Sequence, residues 1–119
     1  METTTNNPLP DLAQFYGTEH YYRLTGLANF KATDGVKYVA ENAGAYWLVD
    51  AIASYQPQLK HVPFQFWKLS ITDNKAVLTC TNGDSDKAIV TQMIPFTDFP
   101  LPSIEFYLTD NVLMLPSEY

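Results

Sequence analysis

The chain is poor in the residues that staple, charge or anchor a protein. It has one cysteine, Cys80, so it has neither an internal disulfide framework nor a zinc knuckle. A cytosolic setting is the expectation. It has one arginine, Arg23, and the remaining basic residues stand apart at 31, 37, 60, 68, 75 and 87. Nucleic-acid binding draws most of its affinity from clustered Lys and Arg on phosphates, so no direct nucleic-acid partner is expected. The longest stretch without Asp, Glu, Lys or Arg runs only from Ala88 to Thr97. A membrane-spanning helix needs about 18 apolar residues or more, so no membrane partner is expected either. The first ten residues, METTTNNPLP, have no basic cluster and no apolar block. They read as a disordered tail rather than a signal peptide.

What is present is acidity and aromatic bulk. Seven Lys plus Arg stand against 13 Asp plus Glu, for a net charge of −6 over 119 residues. No basic residue follows Lys87, while Asp98, Glu105, Asp110 and Glu118 do. This acidic C-terminal region is either a solvated surface that keeps the chain soluble or a face that docks a basic partner. Eight Tyr, seven Phe and two Trp make up 14% of the chain, and 46% is hydrophobic. That is enough for one core without metal, and the length suits a single domain over residues 11–119.

Along the chain, Asp11 caps a short helix through Tyr16, which Gly17 ends. Glu19 to Phe30 fits neither period and reads as an extended segment or a short helix. Thr33 or Asp34 starts a helix carrying Val36, Tyr38, Val39 and Ala40, and Gly44 stops it. A second helix runs from Ala45 to Gln56, where Pro57 forbids continuation. Its apolar residues Tyr46, Trp47, Leu48, Val49, Ala51, Ile52 and Tyr55 nearly circle it, as in a buried central helix. After Pro63 the period becomes strand-like, with Trp67, Leu69 and Ile71 on one face. Asp73-Asn74 with Lys75 reads as a hairpin turn into a strand with alternating Ala76, Leu78 and Cys80. Asn82 to Asp86 is a loop, Lys87 to Ile94 a third strand, and Pro95 to Pro102 a proline-punctuated connection. Ile104 to Leu108 and Val112 to Leu115 flank Thr109-Asp110-Asn111, a last hairpin. The fold class is α+β: N-terminal helices packed on one face of a C-terminal antiparallel β-meander of about four to five strands.

The candidate chemistry is thin. Cys80 lies mid-strand and reads as a small buried hydrophobe rather than a nucleophile. His20 and His61 lack ligand spacing, so no metal is expected. Asn82 to Asp86 lacks the order and the distal glutamate of a calcium loop. Thr33-Asp34-Gly35 opens a helix, where anions are accepted, but no Walker or dinucleotide motif accompanies it. Asp50 is the only ionisable group in the helix 45–56, with Tyr46 and Trp47 one turn back. It is either a raised-pKa acid or ligand anchor, or a residue on an exposed stripe. The candidate binding residues are Asp50, Tyr46, Trp47, His20 and Tyr22. No catalytic residue, metal ligand or cofactor is assigned.

The run TDGVKYVAENAGAYWLVDAIASYQ (Thr33 to Gln56), then FQFWKLSI, QMIPFTDFPLPSIEFYL and the ending VLMLPSEY, resembles an uncharacterised family. Its members are small bacterial, phage and plasmid-borne proteins of unknown function. The resemblance implies a stand-alone cytosolic domain linked to mobile elements, and carries no activity across.

The leading expectation is a non-enzymatic cytosolic protein-binding module. It would recognise a protein partner, or itself as a homodimer, through a Tyr-rich helical face helped by the acidic C-terminal region. An exposed edge strand is an alternative docking route. The alternatives are a small enzyme or small-molecule binder with a pocket between helix and sheet near Asp50, and an acidic inhibitor of a nucleic-acid-binding protein.

Overall fold

Alternation after Pro63 determines the centre of the molecule. The computed structural model describes residues 12–27 and 29–119, so the expected tail and the Asp11 cap lie outside the described residues. Strands β2 (Phe64–Thr72) and β3 (Lys75–Thr81) pair antiparallel, with Trp67 opposite Cys80 and Leu69 opposite Leu78. Their inward residues Gln65, Trp67, Leu69, Ala76, Leu78 and Cys80 are buried, as a period of two requires. Asp73 and Asn74 make the turn with φ of 54° and 64°. Two consecutive positive φ angles mark a type I′ turn, whose twist suits a tight hairpin.

The sheet is not a meander. Among the described residues it has six strands, in the order β1 (Lys31–Ala32), β6 (Val112–Met114), β5 (Ser103–Thr109), β2, β3 and β4 (Val90–Ile94), and is mixed. Strand β4 (Val90–Ile94) starts later than the expected Lys87 and, among the described residues, pairs only with β3. The proline-punctuated connection then crosses the end of the first hairpin. Thr97 N–H donates to the Asn74 carbonyl at 2.7 Å and Ile71 N–H to the Pro102 carbonyl at 2.8 Å. Phe99 and Thr97 are buried along the way. This crossing delivers β5 (Ser103–Thr109) to the far side of β2, where Phe106 lies opposite Trp67. Asp110 and Asn111, with φ of 53° and 64°, turn the chain into β6 (Val112–Met114).

The last strand of the sheet comes from the N-terminal half. The two-residue β1 (Lys31–Ala32) pairs parallel with β6. Nothing in a dipeptide shows a period, so sequence reading could not find it. In the ambiguous segment before it, Tyr22 and Ala32 exchange both backbone hydrogen bonds at 2.8 Å, residues 25–27 bend, and Asn29 turns at φ 66°.

Two helices follow β1. Helix α1 (Asp34–Asn42) buries Val36, Val39 and Ala40, and Gly44 at φ 61° turns the chain away. Helix α2 (Tyr46–Ser54) buries Leu48, Val49, Ile52 and Ala53. It is not buried all round: Tyr46, Asp50 and Ser54 are exposed and Trp47 is half-buried. The apolar count misjudged it because Tyr46 and Trp47 are large enough to stay partly wet. Pro57 sits in a single 3-10 turn, Gln56–Gln58, just beyond α2.

A polar network joins that turn to the sheet. Gln56 and Gln65 exchange amide hydrogen bonds at 3.0 and 2.9 Å. Gln56 also donates to the Ile52 carbonyl, Gln65 to the Val62 carbonyl, and Trp67 Nε1 to Gln65 Oε1. Every side-chain N–H in this group has a partner, which is what burial demands. Close by, Tyr55 sets its ring 5.8 Å from Trp67 and donates its hydroxyl to Gln92 of β4 at 2.7 Å.

Candidate functional site

The start of α1 is where the chain brings most polar side chains together. Thr33 caps the helix in the usual way, its hydroxyl accepting from Val36 N–H. A helix N-terminus also attracts an anion, and here the anion is the protein's own Glu118. Its carboxylate accepts from the Thr33 hydroxyl (2.5 Å), Gly35 N–H (3.0 Å) and Leu115 N–H (2.9 Å). Gly35 makes this approach feasible, since a Cβ there would stand 2.7 Å from Glu118 Oε1 and 2.6 Å from Leu115 Cδ1. The helix opening that the sequence offered as an anion site is therefore filled from within.

Asp34 faces the other way, toward the extended segment. It accepts Glu19 N–H at 2.9 Å, while its own N–H donates to the Thr18 hydroxyl at 2.9 Å. His20 Nδ1 stands 4.0 Å from the same carboxylate. The Glu19 N–H, helped by Tyr22 and Thr18, holds the Asp34 carboxyl below its ordinary range. The hydrogen bond to Asp34 in turn pushes the Tyr22 phenol up. Lys37, one turn along α1, lies 4.9 Å from the Tyr22 ring centroid and pairs with Glu41 at 2.9 Å. That pairing raises the Lys37 ammonium further. Tyr46 stands exposed at the start of α2. Beside this group Phe15, Tyr16, Thr18 and Asp34 border a shallow depression of about 390 Å³.

Two of the five expected residues thus come together, His20 and Tyr22, their rings 6.2 Å apart beside Asp34 and Lys37. Asp50 and Trp47 do not join them. Asp50 is exposed and borders a separate depression with Thr25, Leu27 and Pro57. That depression lies between α2 and the 25–27 segment, not between helix and sheet. Trp47 packs half-buried against the core. Sequence reading missed Asp34 and Lys37 as members of the cluster. The Lys37–Glu41 spacing of four was a local signal. The Asp34–Glu19 bond, spanning 15 residues, gave none.

Most polar side chains of this group are engaged with one another or with the backbone. Thr18 spends its hydroxyl on the His20 carbonyl and the Asp34 N–H. The thiol of Cys80 is buried in the sheet, and desolvation pushes it up to about 12, so it stays protonated. Among the described residues no three His, Cys, Asp or Glu side chains gather as metal ligands would. In the loop 82–86 the Asn82 side-chain oxygen accepts Asp84 and Ser85 N–H, which is ordinary turn chemistry. His61 is exposed. Of the C-terminal acids, Glu118 is spent on α1 and Glu105 lies opposite Lys68 in the sheet. No described helix is long and apolar enough to cross a membrane.

No curated protein and no solved structure matches the chain. A family model does match, over residues 6–119, and its description is a family of unknown function, DUF6876. That span takes in α1 with its Thr33 cap, the whole sheet and the Glu118 clasp. The chain belongs to this family of unknown function.

Proposed function

We propose that the protein is a non-enzymatic protein-binding module whose recognition surface is the aromatic cluster at the start of α1. The observation that carries this reading is the exposure of tyrosine around the charged side chains of Asp34 and Lys37. Tyr16 and Tyr46 are 84% and 41% exposed, and Tyr22 is held in place by Asp34 and Lys37. Tyrosines on an ordered frame offer a large contact area at little entropic cost, which is the chemistry of a protein interface. The helices, in this reading, cover the Trp67 face of the sheet and present the cluster on their outer side. A cytosolic setting fits the single buried, free Cys80. A link to mobile elements belongs to the same proposal and rests on the resemblance alone. The acidic region contributes less than its composition implied, because Glu118 is engaged internally.

The test is affinity capture from the native cell with wild type, Tyr16→Ser/Tyr46→Ser and Asp50→Asn. The expected result is one stoichiometric partner, lost from the double variant and kept by Asp50→Asn. A partner set unchanged by the double variant would sink the reading. Loss with Asp50→Asn alone would move the site to the Asp50 depression and favour small-molecule binding.

A further inference from the structure

The edge strand β4 carries a different inference, independent of the tyrosine cluster. Among the described residues it is the outermost strand on its side and pairs only with β3. The register says which of its backbone groups are free. A two-residue type I′ hairpin makes Thr72 and Lys75 a hydrogen-bonded pair, so hydrogen bonding alternates from there. Odd-numbered residues of β3 turn their backbone toward β2 and even-numbered ones toward β4. On β4, Val90, Gln92 and Ile94, opposite Cys80, Leu78 and Ala76, therefore bond to β3. Thr91 and Met93 point their N–H and C=O groups outward. Two features delimit this window. Ile89 N–H also reaches the Cys80 carbonyl at 2.7 Å, giving a bulge before the strand. Pro95 offers no donor after it.

Natural edges are guarded by charge, above all by lysine. This edge has none: Ala88 to Thr97 contains no Asp, Glu, Lys or Arg. It instead exposes Met93 and Phe96, 71% and 70% accessible, and Ile89 at 42%.

We infer that β4 pairs with β4 of a second copy of this chain, antiparallel about a two-fold axis through Gln92. Three observations favour this occupant. First, that register sets Thr91 opposite Met93 of the partner and Met93 opposite Thr91. All the outward N–H and C=O groups of both copies are then used, in four hydrogen bonds. Val90 meets Ile94 across the axis, so the apolar layer on the Trp67 side continues from copy to copy. Second, a window of two outward residues is too short to order a flexible peptide, whereas a second copy brings a strand already formed. Third, each chain carries −6, yet this segment is neutral, so two copies meet here without opposing like charges.

The experiment is sedimentation of the full chain from low micromolar to millimolar concentration, in low and in physiological salt. Wild type is expected to move from 13.5 kDa toward twice that mass. Salt should strengthen association, by screening the repulsion between acidic chains. Met93→Lys, at an exposed side chain, and Thr91→Pro, at an outward N–H, should each weaken association about tenfold or more. Far-ultraviolet dichroism should stay unchanged in both. Amide exchange gives the register: Thr91 and Met93 should gain protection with concentration, while Gln92 is protected at every concentration. A monomer throughout would overturn the inference. So would a dimer indifferent to Met93→Lys, or one in which the Thr91 and Met93 amides stay open. Tyr46→Ser should not alter the dimer, which separates this result from the partner-binding one.

Discussion

One edge of the sheet ends in a strand gripped from several sides, and the other in a strand gripped from one. Strand β1 is two residues long, yet Tyr22 bridges it, β6 pairs with it and the Asn111 carbonyl accepts Lys31 N–H at 2.8 Å. Thr33, directly after it, is buried and clasped by Glu118 from the far end of the chain. Strand β4 is longer and more apolar, yet nothing among the described residues pairs with its outer side. The difference teaches how the fold divides its labour. Long-range polar contacts close one edge, and local apolar sequence leaves the other able to accept a strand.

The sharpest way to break the comparison is to remove the clasp. Glu118→Ala deletes three acceptor contacts, two at the α1 N-terminus, to the Thr33 hydroxyl and Gly35 N–H, and one to Leu115 N–H in its own turn. The expected loss is about 2–3 kcal/mol, read from urea unfolding. Met93→Lys on the open edge should cost the monomer no more than about 0.5 kcal/mol. Equal costs at the two edges would mean that the clasp is ornamental.

How much of this was legible in sequence follows from the range of each contact. The alternation through Trp67, Leu69, Leu78 and Cys80 is local, and so are the Asp73-Asn74 and Asp110-Asn111 turns. The alternation follows from residue spacing, whereas the turns read one residue too wide: Lys75 already belongs to β3 and Thr109 still to β5. The pairing of Lys31 with Val112 spans most of the chain and follows from no local pattern. The same holds for Glu118, which looked like one more acid in an acidic tail. At the candidate site His20 and Tyr22 stood out by residue type. Their common partner Asp34 did not, because a residue beside a helix cap already has a sufficient local explanation.

A second prediction concerns acid. The Glu19 N–H, with Tyr22 and Thr18, lowers the folded-state pKa of Asp34 from its ordinary 3.8. The unfolded chain then binds this proton more readily than the folded one, so stability rises with pH across the interval between the two values. The contribution is full above 3.8 and is lost as pH falls through the lower folded value. Asp34→Asn removes it at every pH. The gap in unfolding midpoint between wild type and this variant should be widest at neutral pH and shrink in acid. A gap that stays constant through that range would show that charge on Asp34 does not tie the extended segment to α1.

The smallest expected effect compares the two type I′ turns, which lie at opposite ends of β2 and serve opposite edges. Asn74 holds φ at 64° and its carbonyl ties down the crossover at Thr97. Asn111 holds φ at 64° and its carbonyl ties down β1 at Lys31. Both carbonyls belong to the backbone and survive any substitution that keeps the turn. Glycine takes positive φ without the Cβ penalty, and it is the favoured second residue of this turn. Asn74→Gly and Asn111→Gly should therefore each stabilise by about 0.5 kcal/mol, and the double variant by the sum, since the sites share no partner. Alanine at either position should destabilise by about 1 kcal/mol, because it brings the Cβ strain without asparagine's tolerance of left-handed backbone. Thermal unfolding of the four single variants and the double measures all of this at once. If glycine helps at Asn74 and harms at Asn111, the asparagine side chain itself holds the β1 edge, and the closed edge then has one more polar support than the backbone bonds reveal.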